Sequence, residues 1–279
     1  MANQVTLAAH RGWRAKYPEN TMRGFREALK LDIDAIEMDV HMTKDYQIVV
    51  CHDASLDRTT DTSGVITQMT LEEIRKADAG IKFGEEFKGE KIPTFEEFLE
   101  LMAEHPDIKL LLELKDYPEE IGDFAYASAE LSLSLCRKYG IFGKDRLTVI
   151  TFSTGICAWL RARYTKEDFA LHGFYPKSKM KGYTTDDPYK YYDEVCLFNS
   201  GEKDPQGFPI VRDSLVADKA RFTEFALMGI KPCVYYRFNT DEDVHRQAVE
   251  NGALGFTSDD PDICGEILDR IGARKLKKK

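Results

Sequence analysis

The chain has 279 residues, of which 43% are hydrophobic and 31% are charged, so it can bury a large core and is not an intrinsically disordered protein. Its 39 basic and 48 acidic residues give a formal net charge of −9. This balance argues against a general nucleic-acid binder, which needs a basic face to displace counterions from phosphate. An anionic ligand would have to be held locally.

The cysteines and the hydropathy pattern indicate the cellular compartment in which the protein is expected. The cysteines are widely spaced and form no CxxC pair, which is typical of reduced, buried thiols: Cys51, Cys136, Cys157, Cys196, Cys233 and Cys264. The segment MANQVTLAAH has no basic leader with a long apolar run, and no segment reaches the ~18 apolar residues of a membrane span. We therefore expect a cytoplasmic protein without a transmembrane segment. The final ARKLKKK is interpreted as a solvated charge run.

Short apolar segments typical of strands alternate with helical patterns along the chain. In order, the strand candidates are VTLAA (5–9), AIEMDV (35–40), KLLLEL (109–114), LTVITF (147–152), FALHGF (169–174), EVCLFN (194–199), KPCVYY (231–236) and GALGFT (252–257). Helix starts are predicted at Thr70, Thr94 and Thr240, and Phe124, Leu131 and Leu135 mark another amphipathic helix. Eight strands with intervening helices predict an α/β fold, a closed (β/α)8 TIM barrel, whose usual size is about 250 residues.

One segment breaks this alternation. Residues 53–93 contain one short helix pattern among turns rich in Gly, Thr and Asp, and they are too many for an ordinary βα loop. The sequence therefore predicts a small insertion subdomain after the second strand. No internal repeat and no linker divides the chain, so residues 1–279 are predicted to form one domain.

Apolar and ionisable side chains alternate in the second strand candidate. Ile36, Met38 and Val40 fall on one face, and Glu37, Asp39 and His41 fall on the other. In a TIM barrel the outward face packs on helices, whereas inward side chains at the carboxyl ends of the strands line the active face. Glu37 and Asp39 would repel each other there, so a bound cation is the economical solution.

A third carboxylate, Glu113, ends the next core strand and shares a face with Lys115. Three carboxylates without sulfur or imidazole suit a hard divalent cation, Mg²⁺ or Ca²⁺, rather than zinc. The alternative is that these acids only pair with arginine or lysine side chains at the rim.

Two histidines stand near the same predicted edge. His10 ends the first strand and is followed by Arg11, and His52 comes shortly after the second strand and is followed by Asp53. Both imidazoles could transfer protons near neutral pH, although a structural role is the alternative for each. Asp53 either orients His52 or caps the turn that opens the insertion.

Three further side chains are weaker candidates. His41 lies on the ionisable face of the strand, and a structural role is favoured for it. Phe152 and Tyr236 end strands and could wall the carbon face of a ligand, or could belong to the core.

An ordered set of motifs resembles the glycerophosphodiester phosphodiesterases, together with the related phospholipase-D toxins that share their barrel. The set comprises HRG, PENT, IEMDVHMTKD, VVCHDASLDRTTDTSG, GEKIPTFEEFLEL, LLLELK and GALGFTSDDPD. It is dense from residue 7 to 115 and sparse from 140 to 230. Two departures are the poor match of residues 174–214 and the reading YYRFNT, where the family commonly has tryptophan and Tyr236 would take its place.

The resemblance implies a role for each candidate. The metal ligands would be Glu37, Asp39 and Glu113, and Glu19 and Asn20 would support the metal site. The general acid and base would be His10 and His52. The phosphate would be held by Arg11 and Lys115. It also implies that the insertion is the small cap-like subdomain of the family. The implied activity is hydrolysis of small-molecule glycerophosphodiesters to sn-glycerol 3-phosphate and an alcohol.

The charges of these residues link metal and substrate binding. Three carboxylates outweigh two cations, so the site without metal would repel a phosphodiester anion, and a divalent cation would reverse the sign of the net charge.

Several alternatives stay open: another head group such as a lysophospholipid or sugar phosphodiester, a cyclic phosphate product, and water or a substrate hydroxyl as nucleophile. A metal-independent glycosidase using Glu37 and Glu113, and a noncatalytic binding protein, are rivals of other kinds.

Overall fold

The strands form one sheet that closes on itself. The computed structural model describes residues 4–184, 186–198, 219–237 and 239–274. The strands are β1 (Thr6–His10), β2 (Ala35–Met42), β3 (Ile48–Val50), β4 (Lys109–Leu114), β5 (Leu147–Ile150), β6 (Ala170–Tyr175), β7 (Glu194–Leu197), β8 (Lys231–Tyr236) and β9 (Gly255–Ser258). β1 pairs in parallel with both β2 and β9, and the order β2-β4-β5-β6-β7-β8-β9 completes the ring. The predicted eight-stranded parallel TIM barrel is confirmed, and β3 adds an antiparallel strand beside the end of β2.

Helices follow the strands around the outside of this barrel. They are α1 (Met22–Ala28), α2 (Leu71–Ile74), α3 (Phe95–Ala103), α4 (Pro118–Ile121), α5 (Phe124–Lys138), α6 (Thr154–Arg161), α7 (Lys219–Leu227), α8 (Glu242–Asn251) and α9 (Pro261–Arg270). Thr70 and Thr94 each form a capping box, as predicted. The predicted cap at Thr240 is wrong by one residue, because the side chain of Asp241 accepts the hydrogen bond from the amide of Asp243.

The first residue of the last strand also differs from the prediction. Strand β9 begins at Gly255 rather than at Gly252, because Gly252 ends helix α8 with a left-handed backbone at φ 113°. Asn199, the last residue of the predicted EVCLFN strand, lies outside the described residues.

The alternating strand β2 orients its two faces as predicted. Ile36, Met38 and Val40 are fully buried in the apolar layer between the barrel and its helices. Glu37 and Asp39 are buried too, on the opposite face, level with the carboxyl ends of the neighbouring strands, because Glu37 pairs with His10 of β1 and Asp39 with Glu113 of β4. Because successive side chains point to opposite faces of a strand, packing the apolar set outward forces both carboxylates into the barrel mouth.

Residues 53–93 consist of turns, helix α2 and two short 3₁₀ segments at 66–68 and 85–87. Together with Val49 of β3 and Cys51, they bury a small apolar cluster that is separate from the main core and also contains Leu56, Ile66, Ile74, Ala77, Ala79 and Ile92. The description of this segment as a subdomain of a single domain spanning 1–279 stays a prediction. Among the described residues, no helix has the length and apolar character needed to cross a bilayer.

Candidate active site

A pocket opens at the carboxyl ends of the barrel strands. Most of the predicted site residues line it: His10, Arg11, Glu37, His52, Glu113, Lys115 and Phe152. They come from β1, β2 and β4 and from the residues directly after β1, β3, β4 and β5. The barrel therefore brings together side chains that are up to 142 residues apart, the separation of His10 and Phe152 in the chain.

The HRG motif forms a strained turn in which a backbone amide points toward the site. Arg11 has a left-handed φ of 54°, and its amide donates a hydrogen bond of 3.0 Å to Glu37 Oε2. Gly12 also has a positive φ, and a Cβ there would lie 2.8 Å from the carbonyl carbon of Gly24. Glycine is required at this position because helix α1 passes so close. Such strain is commonly found at functional sites.

The PENT motif contributes a second unusual turn. Asn20 has a left-handed φ of 56°, and its side-chain amide donates a hydrogen bond of 2.9 Å to Asp39 Oδ2. The adjacent Thr21 caps helix α1 by accepting a hydrogen bond from the amide of Gly24. Glu19 holds the guanidinium of Arg11 at 2.9 Å, so it acts on the cluster through Arg11.

Three carboxylates converge at the centre of the pocket. One oxygen from each of Glu37, Asp39 and Glu113 lies within 4.8 Å of the others, and all three side chains are buried. Glu37 Oε1 is buried without a hydrogen-bond partner among the described residues. A buried, unsatisfied carboxylate oxygen beside two further carboxylates fits a hard divalent cation, which takes oxygen ligands. These residues can therefore hold a divalent cation.

The pKa values of the three carboxyl groups are shifted in different directions. Burial, together with the charges of Asp39 and Glu113, holds the pKa of Glu37 well above its usual value. Burial likewise raises the pKa of Glu113. Burial also opposes ionisation of Asp39, but Lys115 and Arg11 outweigh it and hold the pKa of Asp39 well below its usual value. Without a cation, burial and repulsion thus favour the protonated form of Glu37, and a bound cation would favour its ionised form.

Two cations flank the cluster. Lys115 Nζ lies 2.5 Å from Glu113 Oε1 and 3.1 Å from Asp39 Oδ1, and Arg11 Nε lies 3.2 Å from Asp39 Oδ2. Both side chains are positioned at the edge of the carboxylate cluster, where they can also reach an anion in the pocket.

Each predicted catalytic histidine is held by an aspartate. His10 Nδ1 lies 2.5 Å from Asp259 Oδ1, and His52 Nδ1 lies 2.5 Å from Asp53 Oδ1. Both aspartates have a pKa below the usual value, so they are ionised acceptors and each Nδ1 carries the proton. The free Nε2 atom of each neutral ring is then left to act as a base.

The two imidazoles are neutral in this environment. Burial, followed by the charge of Arg11, lowers the pKa of His10 to about 4. Burial, followed by the charge of Lys115, lowers the pKa of His52 to about 4. Each ring can accept a proton, and a nearby anion would be needed to hold that proton at neutral pH.

An aromatic wall lies on the side of the pocket formed by β5, β6 and β7. The rings of Phe152 and Phe174 stack with centroids 3.7 Å apart, and Phe198 continues the stack 5.8 Å from Phe174. Lys179 and Lys115 lie over the outer rings. Phe152 thus lines the pocket, and its contact with the carbon face of a ligand stays a prediction.

Tyr236 does not reach the pocket, so its predicted position is wrong. It is buried outside the barrel, where its hydroxyl donates to the carbonyl of Val244 at 3.2 Å and its ring contacts His245. Its neighbour Tyr235 lines the pocket instead, with its ring 4.5 Å from that of His10. The alternation of strand β8 exposes only one of the two tyrosines to the barrel interior.

Sequence reasoning missed Asp259 and Arg14. Asp259 follows β9, which is adjacent to β1 only because the barrel closes, and it also accepts a hydrogen bond of 3.1 Å from Arg14. Arg14 further contacts Glu19 at 2.9 Å. The motif GALGFTSDDPD contained the signal for Asp259, but its partner was not apparent from spacing.

Two polar clusters nearby have structural explanations. His41 pairs with Asp116 at 2.7 Å, in agreement with the favoured structural role. His172, Glu194 and Cys233 also bring potential ligand atoms together, toward the amino-terminal ends of β6 to β8. Lys109 and Lys231 lie 3.7 and 3.6 Å from the Glu194 carboxylate, however, and two ammonium groups disfavour a cation there.

The fold and the site together define a TIM barrel with an ionisable cluster at the carboxyl ends of its strands. The family model of the glycerophosphoryl diester phosphodiesterase family matches residues 10–263. The chain belongs to this family.

Individual relatives agree with the family assignment. The chain is 50% identical over 112 residues to a glycerophosphodiester phosphodiesterase of Caldanaerobacter subterraneus, a match that covers 40% of this chain and 46% of that enzyme. The chain thus spans about half the length of the curated relatives it matches. Among solved structures, a phosphodiesterase of Oleispira antarctica aligns with a TM-score of 0.75 at 22% identity, over 95% of this chain and 97% of that one. A glycerophosphodiester phosphodiesterase of Agrobacterium tumefaciens aligns with a TM-score of 0.66 at 22% identity, over 94% and 99% of the two chains.

Proposed function

We propose that the protein hydrolyses glycerophosphodiesters to sn-glycerol 3-phosphate and an alcohol, in a reaction that depends on Mg²⁺ or Ca²⁺. The observation that carries this proposal is the arrangement of two histidine–aspartate pairs around one pocket that also contains three converging carboxylates. Family membership supports the reaction class. The Oleispira antarctica phosphodiesterase, which shares the fold, is described in complex with the product sn-glycerol-3-phosphate.

The phosphate would be bound by groups that the fold already positions. A divalent cation held by Glu37, Asp39 and Glu113 would offset two of their three negative charges and polarise the phosphoryl oxygens. Arg11 and Lys115 would hold the other phosphate oxygens, at the edge of the cluster where the structure has them. Because both side chains are already held by carboxylates, little side-chain entropy would be lost on binding.

Proton transfer would use the two Nε2 atoms. One neutral imidazole would take a proton from the nucleophile, and the other would give a proton to the leaving oxygen on the opposite side of phosphorus. The pKa of about 4 in the free site favours the base role for both rings. The negative charge of the bound diester would raise the pKa of the ring next to it, so the acid would be loaded with the substrate. A bell-shaped dependence of the rate on pH follows.

The nucleophile can be water or the neighbouring hydroxyl of the glycerol. The second route makes a cyclic phosphate that water opens in a later step. Phosphorus NMR of an early time point distinguishes them, because a cyclic product has its own resonance. Lysophospholipids and sugar phosphodiesters are the alternative substrates.

The rival activities lack the support of the histidine pairs. A glycosidase that used Glu37 and Glu113 would need no cation and no paired imidazoles. A noncatalytic binding protein would need neither histidine–aspartate pair. Full activity after exhaustive chelation would support the glycosidase.

We also propose that the protein works on small molecules in the cytoplasm rather than on nucleic acid. The six cysteines are all free and buried, which suits a reducing compartment. The net charge of −9 disfavours nucleic acid.

The deciding experiment is an assay of deacylated phospholipids that differ only in head group, each with Mg²⁺, with Ca²⁺ and with EDTA. We expect release of sn-glycerol 3-phosphate that EDTA abolishes and that one of the cations restores. No turnover of any glycerophosphodiester with either cation would contradict the proposal.

A further inference from the structure

The active-site pocket continues into a basic groove on one side. A second cavity between the β1–α1 turn and the insertion shares Arg14 and Arg237 with the pocket, and it is lined further by Arg58, Lys82 and Phe83. A ligand in the pocket can therefore extend past the two shared arginines and reach the insertion. We call this second cavity the basic groove.

The basic groove carries an excess of positive charge. Arg14, Arg58, Lys82 and Arg237 line it, whereas Glu19 is the one carboxylate among its described lining residues. Glu19 and Asp53 hold the guanidinium of Arg58 with contacts of 2.7 and 2.6 Å. These contacts fix the position of Arg58 before any ligand arrives, so less entropy is lost when an anion binds.

Lys82 supplies charge that no acid compensates. Its ammonium group donates to the backbone carbonyl of Asp57, and among the described residues no carboxylate forms an ion pair with it. The side chain is exposed and lines the groove. An exposed lysine beside oriented arginines is a typical environment for a phosphate.

The opposite side of the pocket has a different character. Strand β6, which carries Phe174, lies across the ring from β1, and the stack of Phe152, Phe174 and Phe198 covers that side. The apolar stack suits the carbon face of a glycerol, and the basic groove suits an anion. The two ends of a bound diester would thus meet different surfaces.

We propose that the basic groove binds a second phosphate, carried by the leaving alcohol, so that the preferred substrates are glycerophosphodiesters whose alcohol is itself phosphorylated. This inference rests on the proposed function and names the substrate class of that same site.

A matched pair of substrates tests the proposal in the full-length protein with its cation. One is glycerophosphoglycerol, and the other is the same diester with a terminal phosphate on the second glycerol. We expect the wild type to prefer the phosphorylated diester by at least about fivefold in kcat/KM, mainly through KM, because several cations of the basic groove act together on the second phosphate. The preference should shrink when salt rises above about 0.3 M.

Variants of Lys82 locate the effect. Lys82→Gln should reduce the preference roughly two- to fivefold, Lys82→Glu should reduce it further, and Lys82→Arg should keep it. Lys88→Gln is the matched control, because Lys88 is an exposed lysine of the same insertion that does not line the groove. Its preference should equal that of the wild type.

The outcomes separate this inference from the proposed function. Cleavage of both diesters with equal kcat/KM, or a preference that Lys82→Gln and Lys82→Glu leave intact, overturns the inference alone. Cleavage of neither diester, while another glycerophosphodiester of the head-group panel is hydrolysed, also overturns the inference alone. No cleavage of any glycerophosphodiester with either cation overturns the proposed function.

Discussion

His10 and Asp259 are 249 residues apart in the chain, yet Nδ1 of the imidazole lies 2.5 Å from Oδ1 of the carboxylate. The contact exists because β9 pairs with β1 and closes the barrel, so that the turn after the last strand meets the end of the first. Asp259 is buried and is held by Arg14 on its other oxygen. The aspartate therefore fixes both the orientation and the tautomer of His10.

The first prediction concerns this aspartate. Asp259→Asn keeps the size of the side chain but lets Nδ1 of His10 lose its proton, so Nε2 would no longer be free to act as a base. We expect kcat to fall by roughly 10²- to 10⁴-fold with little change in KM. Asp262→Asn, in the first turn of the adjacent helix α9, is the matched control. A kcat and pH profile equal to those of the wild type would show that Asp259 does not position His10.

The second prediction concerns His52. His52→Ala removes the proposed proton-transfer group without removing a carboxylate of the cluster, and we expect kcat to fall by about 10²-fold or more. Cation binding, measured by calorimetry, should persist. His105→Ala is the control, since His105 precedes the amino-terminal end of β4 at the far side of the barrel. Unchanged turnover of His52→Ala would refute the role of this histidine.

The third prediction concerns the cation. A ligand that binds only the folded protein raises the melting temperature, so Mg²⁺ or Ca²⁺ should stabilise the wild type. Glu37→Gln should abolish that stabilisation. Because Glu37 already has a raised pKa, the variant without cation should melt at or above the temperature of the wild type in EDTA. Glu96→Gln, which changes a partly exposed carboxylate on α3 outside the site, controls for the charge change. Equal cation stabilisation of Glu37→Gln and the wild type would exclude Glu37 as a ligand.

The fourth prediction concerns a histidine outside the site. Burial lowers the pKa of His245, whose Nδ1 lies 2.7 Å from the carbonyl of Asp241. The unfolded chain binds a proton here more readily than the folded protein does, so this group removes stability as the pH falls below about 6.5. Urea unfolding at pH 7 and pH 5 should show a smaller loss of unfolding free energy for His245→Gln than for the wild type. An equal loss in both proteins would contradict this.

The fifth prediction separates the two tyrosines of β8. Tyr236→Phe removes the hydrogen bond to Val244 and should lower the free energy of unfolding by about 1 kcal/mol, while kcat/KM stays unchanged. Tyr235→Phe removes a weak contact of 3.3 Å with Asp259, and Tyr235→Ala also removes the ring beside His10. We expect Tyr235→Ala to lower kcat/KM. The tyrosine at the site would be misassigned if the two positions exchanged these effects.

The local sequence determined many of the strands, the helix starts and the buried faces of this protein. The alternation in β2 predicted that Glu37 and Asp39 face inward, because burying Ile36, Met38 and Val40 outward leaves them no other face. The capping boxes at Thr70 and Thr94 were also predictable, because they depend on residues only three apart. The dense motifs between residues 7 and 115 pointed to most of the candidate site residues, because each motif is a short local stretch of sequence.

The tertiary structure decided the remaining features. The pairing of His10 with Asp259 and the junction of the pocket with the basic groove depend on barrel closure and on how the insertion packs, and neither leaves a periodic pattern in the sequence. The choice between Tyr235 and Tyr236 depends on which face of β8 turns inward, and two adjacent tyrosines carry no alternation to decide it. Local physics thus sets the elements and their buried faces, whereas contacts between distant segments set the site's partners.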